Sequence, residues 1–218
     1  MLRYLAYFFS VVFHPLLVLT YMLVILLLVN PYLFGVYSIS YSKPLILLIF
    51  LSTFFIPFVA ISMMKALGMI SSFEMKDRNE RIGPYIITGI FYLWIFRNIL
   101  DNPDIPFAYS VFVLGATIGL FIAFFINLFS KISMHAVGMG GLLGMVVLIM
   151  TFFNYSSFVI PIGDGMQMSI NSLFMLVILL TGIVGTSRLV LGAHEIRDLW
   201  GGFVVGFGTQ VIAYQILI

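Results

Sequence analysis

Phe107-Ala-Tyr-Ser-Val-Phe-Val-Leu-Gly-Ala-Thr-Ile-Gly-Leu-Phe-Ile-Ala-Phe-Phe-Ile-Asn-Leu-Phe129 is a run of 23 residues with no charged side chain. The hydrocarbon core of a bilayer is crossed by a helix of roughly 20 apolar residues. A helix satisfies its own backbone hydrogen bonds there, which an open strand cannot do. Residues 107–129 therefore read as a membrane span. Six comparable stretches are expected at about 4–29, 44–64, 84–100, 136–154, 169–187 and 199–218. The expected fold is an all-α, polytopic transmembrane bundle of six to seven spans, forming one domain over residues 1–218.

Composition agrees. The chain is 62% hydrophobic and 8% charged, with a mean hydropathy of +1.19. So few charges cannot cover the surface of a water-soluble domain. A net charge of +2 gives no basis for a nucleic-acid partner. The absence of cysteine excludes disulfides, thiolate nucleophiles and cysteine metal sites. The apolar run from Tyr4 to Val29 is too long for a signal peptide and lacks a small-residue cleavage site, so it reads as a retained first span. The expected location is a bacterial inner membrane.

Connections are marked by Asn30-Pro31, Lys43-Pro44, Asp101-Asn-Pro-Asp104-Ile-Pro106, and the stretch from Tyr155 to Met168 with Pro161 and Gly163-Asp-Gly165. Gly115/Gly119, Gly140/Gly144 and Gly202/Gly206 recur at the four-residue spacing that lets helices approach closely in lipid. His14-Pro15 falls inside the first span, where proline removes a backbone hydrogen bond and kinks the helix. His14 then reads as a satisfied polar residue beside the kink. Arg97 is placed to snorkel to the interface.

The remaining charge is concentrated in three junctions. Spans two and three flank Glu74, Lys76, Asp77, Arg78, Glu80 and Arg81; spans four and five flank Lys131, Ser133 and His135; spans six and seven flank Ser187, Arg188, His194 and Asp198. Two crossings separate each junction from the next, so seven spans bring all three to one face of the membrane. Taken alone, the first junction reads as a solvated loop, and Ser133 as the N-cap of a helix. Arg188, His194 and Asp198 stand apart, because ionisable groups at membrane depth are costly and usually functional. On a helix, His194 and Asp198 share a face at four-residue spacing. A carboxylate there can hold one imidazole nitrogen and leave the other free to attack. Cations to hold phosphate oxygens, a nucleophile and an acid make an inventory suited to phosphoryl transfer.

Ser187-Arg188-x5-His194-x3-Asp198 resembles the third signature of the type 2 phosphatidic acid phosphatase superfamily. Ser133-Met134-His135 resembles its second, Pro-Ser-Gly-His, with Ile132 and Met134 at the Pro and Gly positions. Lys76-Asp-Arg-Asn-Glu-Arg81-Ile-Gly-Pro84 resembles its first, Lys-x6-Arg-Pro, with a shorter spacing and a later proline. The likeness covers about residues 70–205.

The resemblance implies an integral membrane lipid phosphatase that needs no metal or other cofactor. His194 would be the nucleophile that forms a phosphohistidine, and Asp198 its orienter. His135 would protonate the leaving group and then activate water. Lys76, Arg81, Ser133, Ser187, Arg188 and the backbone amide of Met134 would bind phosphate, with Arg78 competing with Arg81 for the first-signature role. The expected substrate is a membrane lipid phosphate monoester or a prenyl diphosphate.

Other readings use the same residues. His194-Glu195-x2-Asp198 begins like the zinc motif His-Glu-x2-His but lacks the second histidine. An anionic-lipid carrier, or an inactive relative of the phosphatases, would also keep a basic pocket. The positive-inside rule places the clustered face and the N-terminus in the cytoplasm, whereas the resemblance implies the opposite face. Sequence leaves the oligomeric state open.

Overall fold

A computed structural model describes residues 1–75, 77–153, 157–160 and 165–218. Its architecture is that of an all-α polytopic bundle. Six segments are long and apolar enough to cross a membrane: Leu2–Val29, Pro31–Ala66, Asn79–Leu100, Phe107–Phe129, Met134–Phe152 and Ile170–Val190.

The first segment is broken rather than merely kinked. Helix α1 (Leu2–Val12) ends at Phe13, a single 3-10 turn covers Pro15–Leu17, and α2 runs over Val18–Val29. Pro15 explains the break: it has no N–H to give and fixes its own φ. The second crossing is built from α3 (Lys43–Phe50), a π-helical turn over Leu51–Phe55 and α4 (Ile56–Ala66). Helices α5 (Ile82–Leu100), α6 (Phe107–Phe129) and α7 (Met134–Phe152) follow. Strands β1 (Ser157–Ile160) and β2 (Met166–Ser169) pair antiparallel in what sequence reads as a plain loop. Tyr155, Pro161, Gly163 and Asp164 of that stretch lie outside the described residues. Helix α8 (Ile170–Val190) extends three residues beyond its expected end and takes in Arg188.

The last helix, α9 (Ile196–Leu217), has 22 residues, about 33 Å at 1.5 Å per residue. It is not among the six most apolar segments. Its inward side carries Gly202, Gly206, Thr209 and Gln210, all buried. Packing against α7 and α6 covers these polar and small residues.

Glycine sets the closeness of that packing. A Cβ on Gly206 would stand 2.0 Å from the Val137 carbonyl oxygen, and one on Gly140 2.5 Å from that of Phe203. A Cβ on Gly202 would meet the Ser133 carbonyl at 2.8 Å. On the α6 side, one on Gly115 would meet the Gln210 amide at 2.6 Å. The small-residue pairs are therefore helix-packing positions, and α7 and α9 run backbone to backbone. This contact brings the start of α7 against the start of α9.

Candidate active site

The C-terminus of α8 closes with a Schellman motif. The Ala193 N–H donates to the Arg188 carbonyl (3.1 Å) and the Gly192 N–H to that of Leu189 (2.9 Å). Gly192 takes the left-handed conformation this requires, at φ +66°. The chain reverses there and delivers His194 just ahead of α9. His194 is thus in the connecting turn, not on a helical face. The expected contact with Asp198 forms by a different route. Glu195 caps α9 and Asp198 is its third residue, so the Asp198 carboxylate reaches back over the helix start in a capping box.

Asp198 Oδ2 accepts from the Glu195 N–H (3.2 Å) and from His194 Nδ1 (3.2 Å). Their side chains are only 5% and 9% exposed for His194 and Asp198 respectively. With Nδ1–H donated to the carboxylate, Nε2 presents its lone pair. Burial lowers the His194 pKa from the ordinary 6.5 to about 4; the Asp198 hydrogen bond opposes this, and Arg81 and Arg188 reinforce it. At neutral pH the imidazole is uncharged. His194 and Asp198 line a polar recess of about 430 Å³, together with Lys131 and Arg197.

The second cluster arrives on the N-terminus of α7. Ser133 Oγ accepts from the Ala136 N–H (3.4 Å), the N-cap role. Its backbone N–H donates to the Asp198 carbonyl (3.3 Å), tying α7 to α9. Met134 is the first residue of α7, where backbone N–H groups lack intrahelical partners. His135 follows in the same turn, and its Nε2 lies 2.9 Å from the Ser10 carbonyl of α1.

Arg188 occupies the last turn of α8, its Nε buried and without a hydrogen-bond partner among the described residues. It lies within electrostatic reach of His14, His135 and His194, and of Arg81 and Glu74. Arg81, at the end of a 3-10 turn before α5, is held by a bond from its Nε to the Met75 carbonyl (2.9 Å).

Two residues of the expected site are engaged elsewhere. Arg78 Nη1 donates to the Phe129 carbonyl (2.6 Å), and the Arg78 carbonyl accepts from Asn127 Nδ2 (2.9 Å). Arg78 therefore clasps the loop to the end of α6, and Arg81 is the one within electrostatic reach of His194. Ser187 Oγ donates to the Ile183 carbonyl (2.7 Å), and its side chain lines an apolar groove between α1 and α8. Lys76 lies outside the described residues.

Two residues that the sequence places at a junction or a kink, but not in the expected site, stand next to it. Lys131 lines the recess beside His194. His14 stands against His135 with ring centroids 5.7 Å apart. The signal for His14 was present: an ionisable side chain inside an apolar span. Among the described residues, no three His, Asp or Glu side chains converge as a metal-ligand set. No family model, curated protein or solved structure matches the chain.

Proposed function

We propose that this protein is a membrane-embedded phosphatase that hydrolyses a lipid phosphate or prenyl diphosphate through a phosphohistidine. One observation carries the reading. His194 is held at Nδ1 by Asp198, is uncharged at neutral pH, lines a polar recess with Lys131 and Arg197, and is itself within electrostatic reach of Arg81 and Arg188.

In the first step His194 Nε2 attacks phosphorus. The N–P bond forms, the bond from phosphorus to the leaving oxygen breaks, and that oxygen takes the Nδ1 proton of His135, which enters the step as the imidazolium. Asp198 stabilises the charge that develops on the imidazole. Arg188 and Arg81 offset negative charge on the equatorial oxygens, an effect worth several kcal/mol in a protected site. In the second step water loses a proton to His135 and attacks phosphorus. The N–P bond breaks, and phosphate and the starting histidines are regenerated. A site beside the spanning helices receives a head group while the hydrocarbon chains remain in lipid.

The competing reading is an anionic-lipid carrier, which needs the cations but not the His194–Asp198 pair. The test is phosphate release by purified protein in mixed micelles offered phosphatidate, phosphatidylglycerol phosphate and a polyprenyl diphosphate, with chelator present. Release by the wild type and none by His194→Ala is expected. Binding of these lipids without release by either protein would overturn the phosphatase reading in favour of a carrier.

A further inference from the structure

His14 sits where the first crossing breaks. Its backbone N–H would pair with the Ser10 carbonyl in a continuous helix; instead it donates to Val11 (3.2 Å). The Ser10 carbonyl is taken by His135 Nε2 at 2.9 Å. A carbonyl only accepts, so His135 Nε2 stays protonated, and Nδ1 is the nitrogen that gives and then takes back the proton of the proposed chemistry. The break thus supplies the acceptor that orients His135.

The same break orients His14. Its Nδ1 accepts from the Leu16 N–H (3.3 Å), capping the 3-10 turn. Because a backbone N–H donates to it, Nδ1 is unprotonated and His14 is the neutral Nε2–H tautomer. Among the described residues no hydrogen bond involves its Nε2, and that atom is not sealed from the surroundings. His194 acts electrostatically on His135, and Arg188 on both His135 and His14. The imidazoles are therefore ordered His194, His135, His14, with His14 beyond the acid and away from the nucleophile.

A neutral imidazole N–H is too weak an acid to give up its proton, but it is a good fixed donor to an oxygen gaining negative charge. We propose that His14 is a catalytic residue of this site whose Nε2–H donates a hydrogen bond to the leaving oxygen while His135 delivers the proton to it. This inference rests on the phosphatase reading and adds a leaving-group role to it.

The test uses His14→Asn, with His14→Ser as a second variant. Both replacements accept from the Leu16 N–H as N-caps, so the turn is kept and only the imidazole is lost. The substrates are an alkyl phosphate and a nitrophenyl phosphate bearing the same alkyl chain, in the same micelles. A nitrophenolate leaves readily and needs no stabilising donor. The expected result is a fall in kcat/KM of about 10²-fold on the alkyl phosphate and less than about threefold on the nitrophenyl phosphate, with an unchanged thermal midpoint. Wild-type rates on both substrates would overturn the proposal and leave His14 as a cap. An equal loss on both would also overturn it, as the mark of a structural role. Absence of release by the wild type itself would instead sink the phosphatase reading, and this inference with it.

Discussion

The backbone N–H of Ser133 donates to the carbonyl of Asp198 at 3.3 Å. One hydrogen bond thus fixes the helix that carries His135 relative to the helix whose first turn orients His194. It forms only because glycines let α7 and α9 approach so closely.

Gly206→Ala tests that dependence. The new Cβ would stand 2.0 Å from the Val137 carbonyl oxygen, which is backbone and cannot swing aside. Overpacking of this kind costs about 1–3 kcal/mol. Gly208, in the same helix, has nothing within 4 Å of its Cβ position, so Gly208→Ala should change stability by less than about 1 kcal/mol. Thermal unfolding in detergent compares the two, and equal midpoints would contradict the packing described.

Asp198→Asn keeps the backbone bond to Ser133 but removes the carboxylate that fixes the His194 tautomer. Where a carboxylate orients a catalytic histidine, this change lowers kcat by about 10⁴-fold in serine proteases. A loss of at least about 10²-fold is expected here, with lipid binding retained. A kcat within twofold of wild type (about 0.4 kcal/mol) would remove Asp198 from the mechanism.

The titration of His194 has a defined direction. Burial holds its pKa at about 4, with Arg81 and Arg188 pressing the same way and Asp198 opposing. The nucleophilic form should persist as pH falls, until about 4. An unfolded histidine binds its proton near 6.5, so this residue's contribution to stability falls as pH drops through the window between those values. Arg81→Ala should move the titration upward, and Asp198→Asn should move it downward. Imidazole NMR of histidine-labelled protein reads both shifts; movement in the opposite sense would refute the assigned causes.

Arg78 and Arg81 should separate cleanly. Arg81→Ala is expected to lower kcat/KM by about 10²-fold through loss of a phosphate-facing cation. Arg78→Ala removes the clasp on Phe129 and should lower the thermal midpoint while kcat/KM stays within about threefold. The reverse pattern would exchange their roles.

These two arginines show where sequence reading stops. Both are cations three residues apart, and only the position of the Phe129 carbonyl distinguishes them. The spans were legible because run length is measured against a fixed bilayer thickness. The His194–Asp198 contact was legible from spacing, although the chain makes it through a capping box rather than along one helix face. Gly192 and the Glu195–Asp198 pair carried that capping signal. Ser133 serves the cap that its place before α7 suggested. Ser187 is folded back onto its own helix because a hydroxyl there readily bonds the carbonyl four residues back. The His135–Ser10 contact was hidden because Pro15 reads as a kink, whereas the broken helix frees a carbonyl for a residue 125 positions away. The hairpin over 157–169 is too short and too mixed in pattern to declare itself.

The most direct test of His194 as nucleophile is to trap the covalent intermediate. Purified protein is mixed with a lipid substrate labelled in the reacting phosphate, quenched in alkali within one turnover, and mapped by peptide. Label on His194, stable to alkali, lost in acid and absent from His194→Ala, is the result expected. Phosphate release that persists in His194→Ala, or label on another residue, would contradict the account.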